Sequence, residues 1–167
     1  NPSLKVNSVG CRVCRPIYIK QLQNYYRNKV KDLCKHCEER FKTNPLRLLD
    51  CKEPKCVEMK SHAPNFYDKL CTTCSTHFAT VLEYLDQLAI PYMLDNFLVR
   101  GLDYYSRTVF EIYADGAGAN VGALFGGGRY DYLFEMLGAR QNPAVGSAVS
   151  IERIVEVLRL EESLPQE

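Results

Sequence analysis

A chain of 167 residues, 46% hydrophobic and 25% charged, has the proportions of an ordinary globular protein and is long enough for one cored domain plus a second small module. No apolar run approaches the roughly 20 residues that cross a bilayer, so no membrane partner is expected. Net charge is only +1, but residues 1–80 hold 15 Lys+Arg against 7 Asp+Glu and residues 81–167 hold 6 against 13, a net of +8 and −7. Such separation indicates two parts with different partners, the basic one suited to phosphates. No charged-then-apolar leader stands at the front, and the chain opens on Asn-Pro rather than Met. We therefore expect a cytoplasmic protein and a piece of a longer polypeptide.

Eight cysteines fall in four pairs: Cys11/Cys14, Cys34/Cys37, Cys51/Cys56 and Cys71/Cys74. Three pairs are C-x-x-C, and 19 residues separate Cys14 from Cys34, within the spacing of paired-cysteine zinc modules. Thiolates on such turns converge on one tetrahedral ion, and four of them leave no open position, so the metal would be structural. One or two zinc ions are expected. Sequential use of the pairs is simplest, crossed pairings stay open, and His36, His62 and His77 are spare ligands. Disulfides do not fit a chain whose thiols stay reduced, and four pairs in a basic module do not read as one redox motif.

Between the first two pairs, Ile19, Leu22, Tyr26, Val30 and Leu33 recur at helical steps after Pro16. Asn44-Pro45 marks a turn or helix start, with Leu46, Leu48 and Leu49 as anchors. Tyr18, Tyr25 and Tyr26 either stack on bases or, as the stronger expectation for Tyr26, fill a small core. This half reads as short helices tied by metal knots.

Phe78, Val81, Leu82, Leu85 and Leu88 predict an amphipathic helix over 77–89 that ends at Ile90-Pro91. A short strand at Tyr92–Leu94 and a long strand or hairpin from Val99 to Tyr113 follow. Asp115-Gly116 and Gly118 form a turn, and Val121–Phe125 is a further strand. Gly126-Gly127-Gly128 is read either as a turn that needs positive φ or as backbone that lets a ligand come close; it opens into a helix ending at Leu137. Pro143–Ile151 is a small-residue strand and Glu152–Leu160 a terminal helix. The pattern is α+β.

Four segments stand in order: TNPLRLLDCK (Thr43 to Lys52) within the cysteine pairs, LVRGLDYYSRTVFE (Leu98 to Glu111), GGGRYD (Gly126 to Asp131) and PAVGSAVSIER (Pro143 to Arg153). Together they resemble the later part of the catalytic region of bacterial-type histidyl-tRNA synthetases. The resemblance implies part of a class II synthetase core, an antiparallel sheet flanked by helices made of residues 1–10 and 77–167. It makes residues 11–76 a small, mostly helical zinc-binding insertion beside the tRNA acceptor stem. It further implies ATP with Mg, histidine and tRNA(His) as partners, and a homodimer in the intact enzyme.

By position, the resemblance places Arg100 at the α-phosphate of ATP and the histidine carboxylate, as the catalytic charge. Tyr104 and Tyr105 would line the histidine pocket. Gly126, Gly127 and Gly128, with Arg129 and Tyr130, would form its wall, and Arg153 would hold the ATP tail. A guanidinium fork suits an adenylation that needs positioning and charge neutralisation rather than a general base. The chain departs from the family pattern at Ser147, where an aromatic is usual, and at Ser150, where glycine is usual. It also shows no segment like the dimer motif or the earlier ATP-binding arginine motif, so it is expected not to aminoacylate alone. Two other readings use the same residues. One is a regulatory paralog similar to the ATP phosphoribosyltransferase regulatory subunit; the other is a stand-alone zinc-dependent RNA-binding module.

Overall fold

The computed structural model describes residues 2–101, 103–115 and 121–161. Five strands form one sheet in the order β2-β1-β3-β4-β5: β1 Pro2–Ser8, β2 Tyr92–Leu94, β3 Ser106–Ala114, β4 Phe125–Tyr130 and β5 Ala144–Val149. All neighbours are antiparallel except β1 and β2. Helices α1 Cys14–Tyr26, α2 Lys35–Thr43, α3 Pro54–Ser61 and α4 Thr72–Gln87 carry the cysteines; α5 Leu133–Met136 and α6 Ile151–Leu160 flank β5. The class is α+β, as expected, and α4 runs straight through position 76.

Several boundaries differ from expectation. Strand β1 carries no clean apolar alternation because Lys5 and Asn7 occupy the face that its partner β3 shares with Glu111 and Val109. The predicted long strand begins only at Ser106; the described residues before it, 99–101 and 103–105, are not strand. The Gly triplet is strand, not turn: Gly126, Gly127 and Gly128 pair with Glu111, Phe110 and Val109 on β3. The strand expected at Val121–Phe125 is therefore displaced into the glycines, and the helix after it shrinks to Leu133–Met136. Among the described residues the positive-φ glycines are instead Gly10, Gly122 and Gly138. The predicted turn at Gly116 and Gly118 lies outside the described residues.

Helix α1 buries Cys14, Tyr18, Leu22 and Tyr26, a strict four-residue step on one face. Val30 begins a separate 3-10 turn, so the stripe through Leu33 is not one helix. Tyr18 and Tyr26 are each 1% exposed, which removes them from base stacking; the Tyr18 hydroxyl donates to the Pro64 carbonyl at 2.9 Å. One buried cluster runs from these residues through Leu48, Leu49 and Phe66 to Leu98, Val99, Tyr105 and Val109. The cysteine-rich helices and the sheet thus share a core, each fully buried large side chain contributing about 1.5–3 kcal/mol.

Candidate functional site

Alternation along the strands puts Glu111 and Tyr113 of β3, Gly126, Gly128 and Tyr130 of β4, and Gly146 of β5 on one face. The loop 95–105 crosses that face. Asn7 of β1 donates to the Leu98 carbonyl at 2.8 Å and fixes its start. Arg100 then pairs with Glu111, its guanidinium lying where a Gly126 side chain would be. At Gly128 a Cβ would meet the Thr108 carbonyl at 2.6 Å. Gly126 leaves room for Arg100 over the sheet and Gly128 lets β3 and β4 approach closely, and none of the three glycines has the positive φ that the turn reading requires.

The end of the loop is held by the helical module. Arg15 of α1 donates from Nη1 to the Asp103 carbonyl at 3.1 Å, from Nη2 to the Tyr105 carbonyl, and from Nε to the Val9 carbonyl at 3.4 Å. The Asn44 amide donates to the Asp103 carboxylate at 2.6 Å. Tyr104, Tyr105 and Tyr130 form an aromatic trio, with centroids 4.7 Å apart for Tyr104–Tyr105, 5.5 Å for Tyr104–Tyr130 and 6.1 Å for Tyr105–Tyr130. Burial, then the neighbouring hydroxyl of Tyr105, pushes the Tyr104 phenol up, so it stays a neutral hydrogen-bonding group.

Arg100, Tyr104, Tyr105, Gly126, Gly128 and Tyr130 are therefore brought together. Gly127 and Arg129 are not. Both point to the opposite face, where Arg129 donates to Asp131 at 2.7 Å and meets His77 of α4 at 3.1 Å. Their assignment to the pocket wall is corrected on that ground, because strand alternation fixes the side. Arg153 donates to the Ala123 carbonyl at 2.6 Å, Ser147 pairs with Gly127, and Ser150 stands at the start of α6 without a side-chain cap, its hydroxyl donating to Glu152 at 3.3 Å. Sequence reading assigned no role to Arg15 or Glu111. A carboxylate spaced two from Val109 and two from Tyr113 was the available signal for Glu111; nothing local marked Arg15.

The cysteines form two quartets whose sulfurs all lie within 4.8 Å of one another: Cys11, Cys14, Cys71 and Cys74, and Cys34, Cys37, Cys51 and Cys56. The sequential pairing is thus corrected to a nested one, in which the outer pairs meet and the inner pairs meet. All eight are free thiols, and either quartet could hold a metal ion. Measured edges are 3.7 Å for Cys11–Cys14, 3.9 Å for Cys11–Cys71 and 3.8 Å for Cys34–Cys51. The backbone N–H of Cys71 donates to the Cys14 sulfur at 3.0 Å and that of Val13 to the Cys11 sulfur at 3.3 Å. Burial pushes the Cys14, Cys37, Cys56 and Cys74 thiols up. Burial also raises Cys11, but N–H and thiol donors around it bring it down to about 7.

A cavity of about 740 Å³ lies away from Arg100. It runs along the outer side of α1 past Arg12, Arg15, Lys20 and Arg27 to Tyr132, and touches the tyrosine loop at Asp103 and Tyr104. The space enclosed between Arg100, Arg15 and Tyr105 is only about 20 Å³.

The sequence profile described as histidyl-tRNA synthetase matches residues 21–154. The chain is 48% identical over 166 residues to the histidine–tRNA ligase of Natranaerobius thermophilus, covering 98% of this chain and 39% of that protein. It is 46% identical over 155 residues to the ligase of Desulforamulus reducens, covering 93% and 37%. The apo crystal structure of S. aureus histidyl-tRNA synthetase superposes with a TM-score of 0.72 at 34% identity, over 98% of this chain and 40% of that one. A mostly antiparallel sheet flanked by helices, with relatives of this kind, is the region of a class II aminoacyl-tRNA ligase. The chain belongs to the histidyl-tRNA synthetase family, and spans about two fifths of the length of the relatives it matches.

Proposed function

We propose that these residues form part of a histidine–tRNA ligase, which joins histidine to tRNA(His) through an ATP-dependent adenylate. The observation that carries this reading is the placing of Arg100 above a glycine floor beside three tyrosines, in a chain of this family. Arg100 meets the histidine carboxylate and the α-phosphate of ATP. It neutralises charge as the two approach, and no proton need be removed because the carboxylate is already a nucleophile. Tyr104, Tyr105 and Tyr130 receive the imidazole, and a phenol hydroxyl in that pocket rejects side chains that cannot hydrogen-bond. Gly126 and Gly128 let the ligand and Arg100 lie close to the sheet. Arg153 belongs to the ATP side, with Mg arriving as part of the ATP complex. Arg129 and Gly127 act from behind, holding the strand rather than touching histidine.

Zinc is the proposed occupant of the two quartets. A tetrahedron with metal–sulfur bonds of about 2.3 Å has edges of about 3.8 Å, which the three measured edges match. Closed four-thiolate sites supply structure, not chemistry. Residues 11–76 would then be the insertion beside the acceptor stem, with residues 1–10 and 77–167 as the catalytic part. The cationic groove along α1 supports that partner, since Lys20 and Arg27 line a cavity that leads to Tyr104. We place the intact enzyme in the cytoplasm as a homodimer. Among the described residues no helix is long and apolar enough to cross a membrane.

Binding of amino acids to the purified chain tests the reading: histidine is expected to shift the tyrosine resonances where phenylalanine and asparagine do not. At two fifths of the relatives' length, the isolated chain is expected to give no histidine-dependent ATP–pyrophosphate exchange. Equal binding of all three amino acids would remove the histidine assignment.

A further inference from the structure

Among the described residues Arg100 makes one ion pair, to Glu111, and its guanidinium carbon lies 5.8 Å from the Tyr105 ring centroid. Glu111 and Tyr113 stand two apart on β3 and share the face that Arg100 covers. Glu111 accepts from Arg100 Nη1 with Oε1 and from the Tyr113 hydroxyl with Oε2, so both carboxylate oxygens are engaged. The Tyr113 ring is itself braced by the Lys5 ammonium, 5.1 Å from its centroid, and Lys5 pairs with Asp95 at 3.3 Å. On its other flank the guanidinium meets no such anchor among the described residues. Its Nε is buried and has no acceptor. A guanidinium carries five N–H donors in a rigid plane, so one ion pair fixes that plane and leaves further donors for a second anion.

We propose that Glu111, backed by Tyr113, is a positioning residue that sets the plane of Arg100 so that the guanidinium donors Glu111 leaves free meet the carboxylate of the ligand. This rests on the histidine reading above and deepens it. An arginine left free to rotate would have to be ordered at the moment of binding, which weakens affinity. The proposal makes a prediction opposite in sign to simple charge. Glu111→Gln removes a negative charge beside the site, which by Coulomb attraction alone would strengthen anion binding. Positioning predicts that it weakens.

The test compares L-histidine with histamine, which keeps the imidazole and lacks the carboxylate, by titrating the isotope-labelled full chain and following tyrosine and arginine Nε resonances. The unsubstituted chain is expected to prefer histidine by about tenfold or more, the range of one charge-assisted hydrogen bond. Glu111→Gln is expected to bring that preference down to about twofold with histamine affinity unchanged. Tyr113→Phe keeps the carboxylate and fold and is expected to lower the preference by about threefold, which carries the test should Glu111→Gln fail to fold. Histidine bound by Glu111→Gln as tightly as before, or more tightly, overturns the proposal, as does an equal loss of both ligands, which marks a purely structural role. Absence of binding by the unsubstituted chain overturns the histidine reading and this inference together, and is seen before any substitution is made.

Discussion

The cysteine-rich helices and the five-strand sheet share one buried cluster, yet they close their backbones by different means. Helices α2 and α4 each begin on a cysteine at the N-cap, Cys34 and Cys71, with no side-chain cap hydrogen bond; Cys37 and Cys74 follow one turn on. A serine or aspartate there would contribute about 1 kcal/mol. Here a cysteine stands at that position, and its sulfur lies in a quartet with the one a turn further on. The sheet needs no ion. Its strands are held by ladder hydrogen bonds, and its close approaches by Gly126, Gly127 and Gly128. One region is therefore conditional on its thiol chemistry and the other on the absence of side chains.

Metal removal is the largest lever on that contrast. Closed zinc sites contribute on the order of 10 kcal/mol to small modules. A chelator is therefore expected to abolish most helical circular dichroism and expose eight thiols to a colorimetric reagent, and an apo chain with unchanged helicity and midpoint would end the distinction. Next comes Arg15, the tie between the two regions. Arg15→Ala leaves the Val9, Asp103 and Tyr105 carbonyls without this donor and is expected to cost about 3 kcal/mol in denaturant titration. Arg15→Lys should recover little of it, because an ammonium lacks the fork.

Within the sheet, two glycines one residue apart separate folding from binding. A Cβ at Gly128 meets the Thr108 backbone carbonyl, whereas the nearest atoms to one at Gly126 belong to the Arg100 guanidinium, a side-chain end rather than backbone. Gly128→Ala is expected to lower stability by about 2 kcal/mol, and Gly126→Ala by less than about 1 kcal/mol while weakening histidine binding. Equal thermal shifts for the two would contradict this assignment. The smallest effect is expected at His77. Burial first, then Arg129 and Arg107, hold its pKa below the ordinary 6.5. Between the lowered folded value and 6.5 the unfolded chain binds the proton and the folded one does not, so stability is complete above 6.5 and falls as pH drops through that window. His77→Gln should flatten this slope in midpoints measured against pH.

Short-range patterns carried well into the structure. The spacing of the cysteines marked pairs that gather into two groups of four, Tyr92–Leu94 was placed to the residue, and the final strand and helix to within two. These features depend on neighbours in the chain, which a sequence displays directly. Strand β1 escaped because half of it, Lys5 and Asn7, is polar for reasons found some 90 residues away at Asp95 and Leu98. The glycine strand escaped for a similar reason: Gly126 is small because Arg100, from a distant loop, lies over it.

Residue types and spacing were enough to establish the family resemblance, the α+β class, the thiolate pairs and the Arg100-to-Tyr105 cluster, since each is a local statement about chemistry. Folding in three dimensions chose among possibilities the sequence left equal. It nested the cysteine pairs, turned Arg129 to the back of the sheet and Tyr130 to the front, and set Glu111 under Arg100 and Arg15 under the tyrosine loop. Register is the physical reason: side chains alternate at every step of a strand, so a site assembled across β3, β4 and a crossing loop exists only once those strands are aligned.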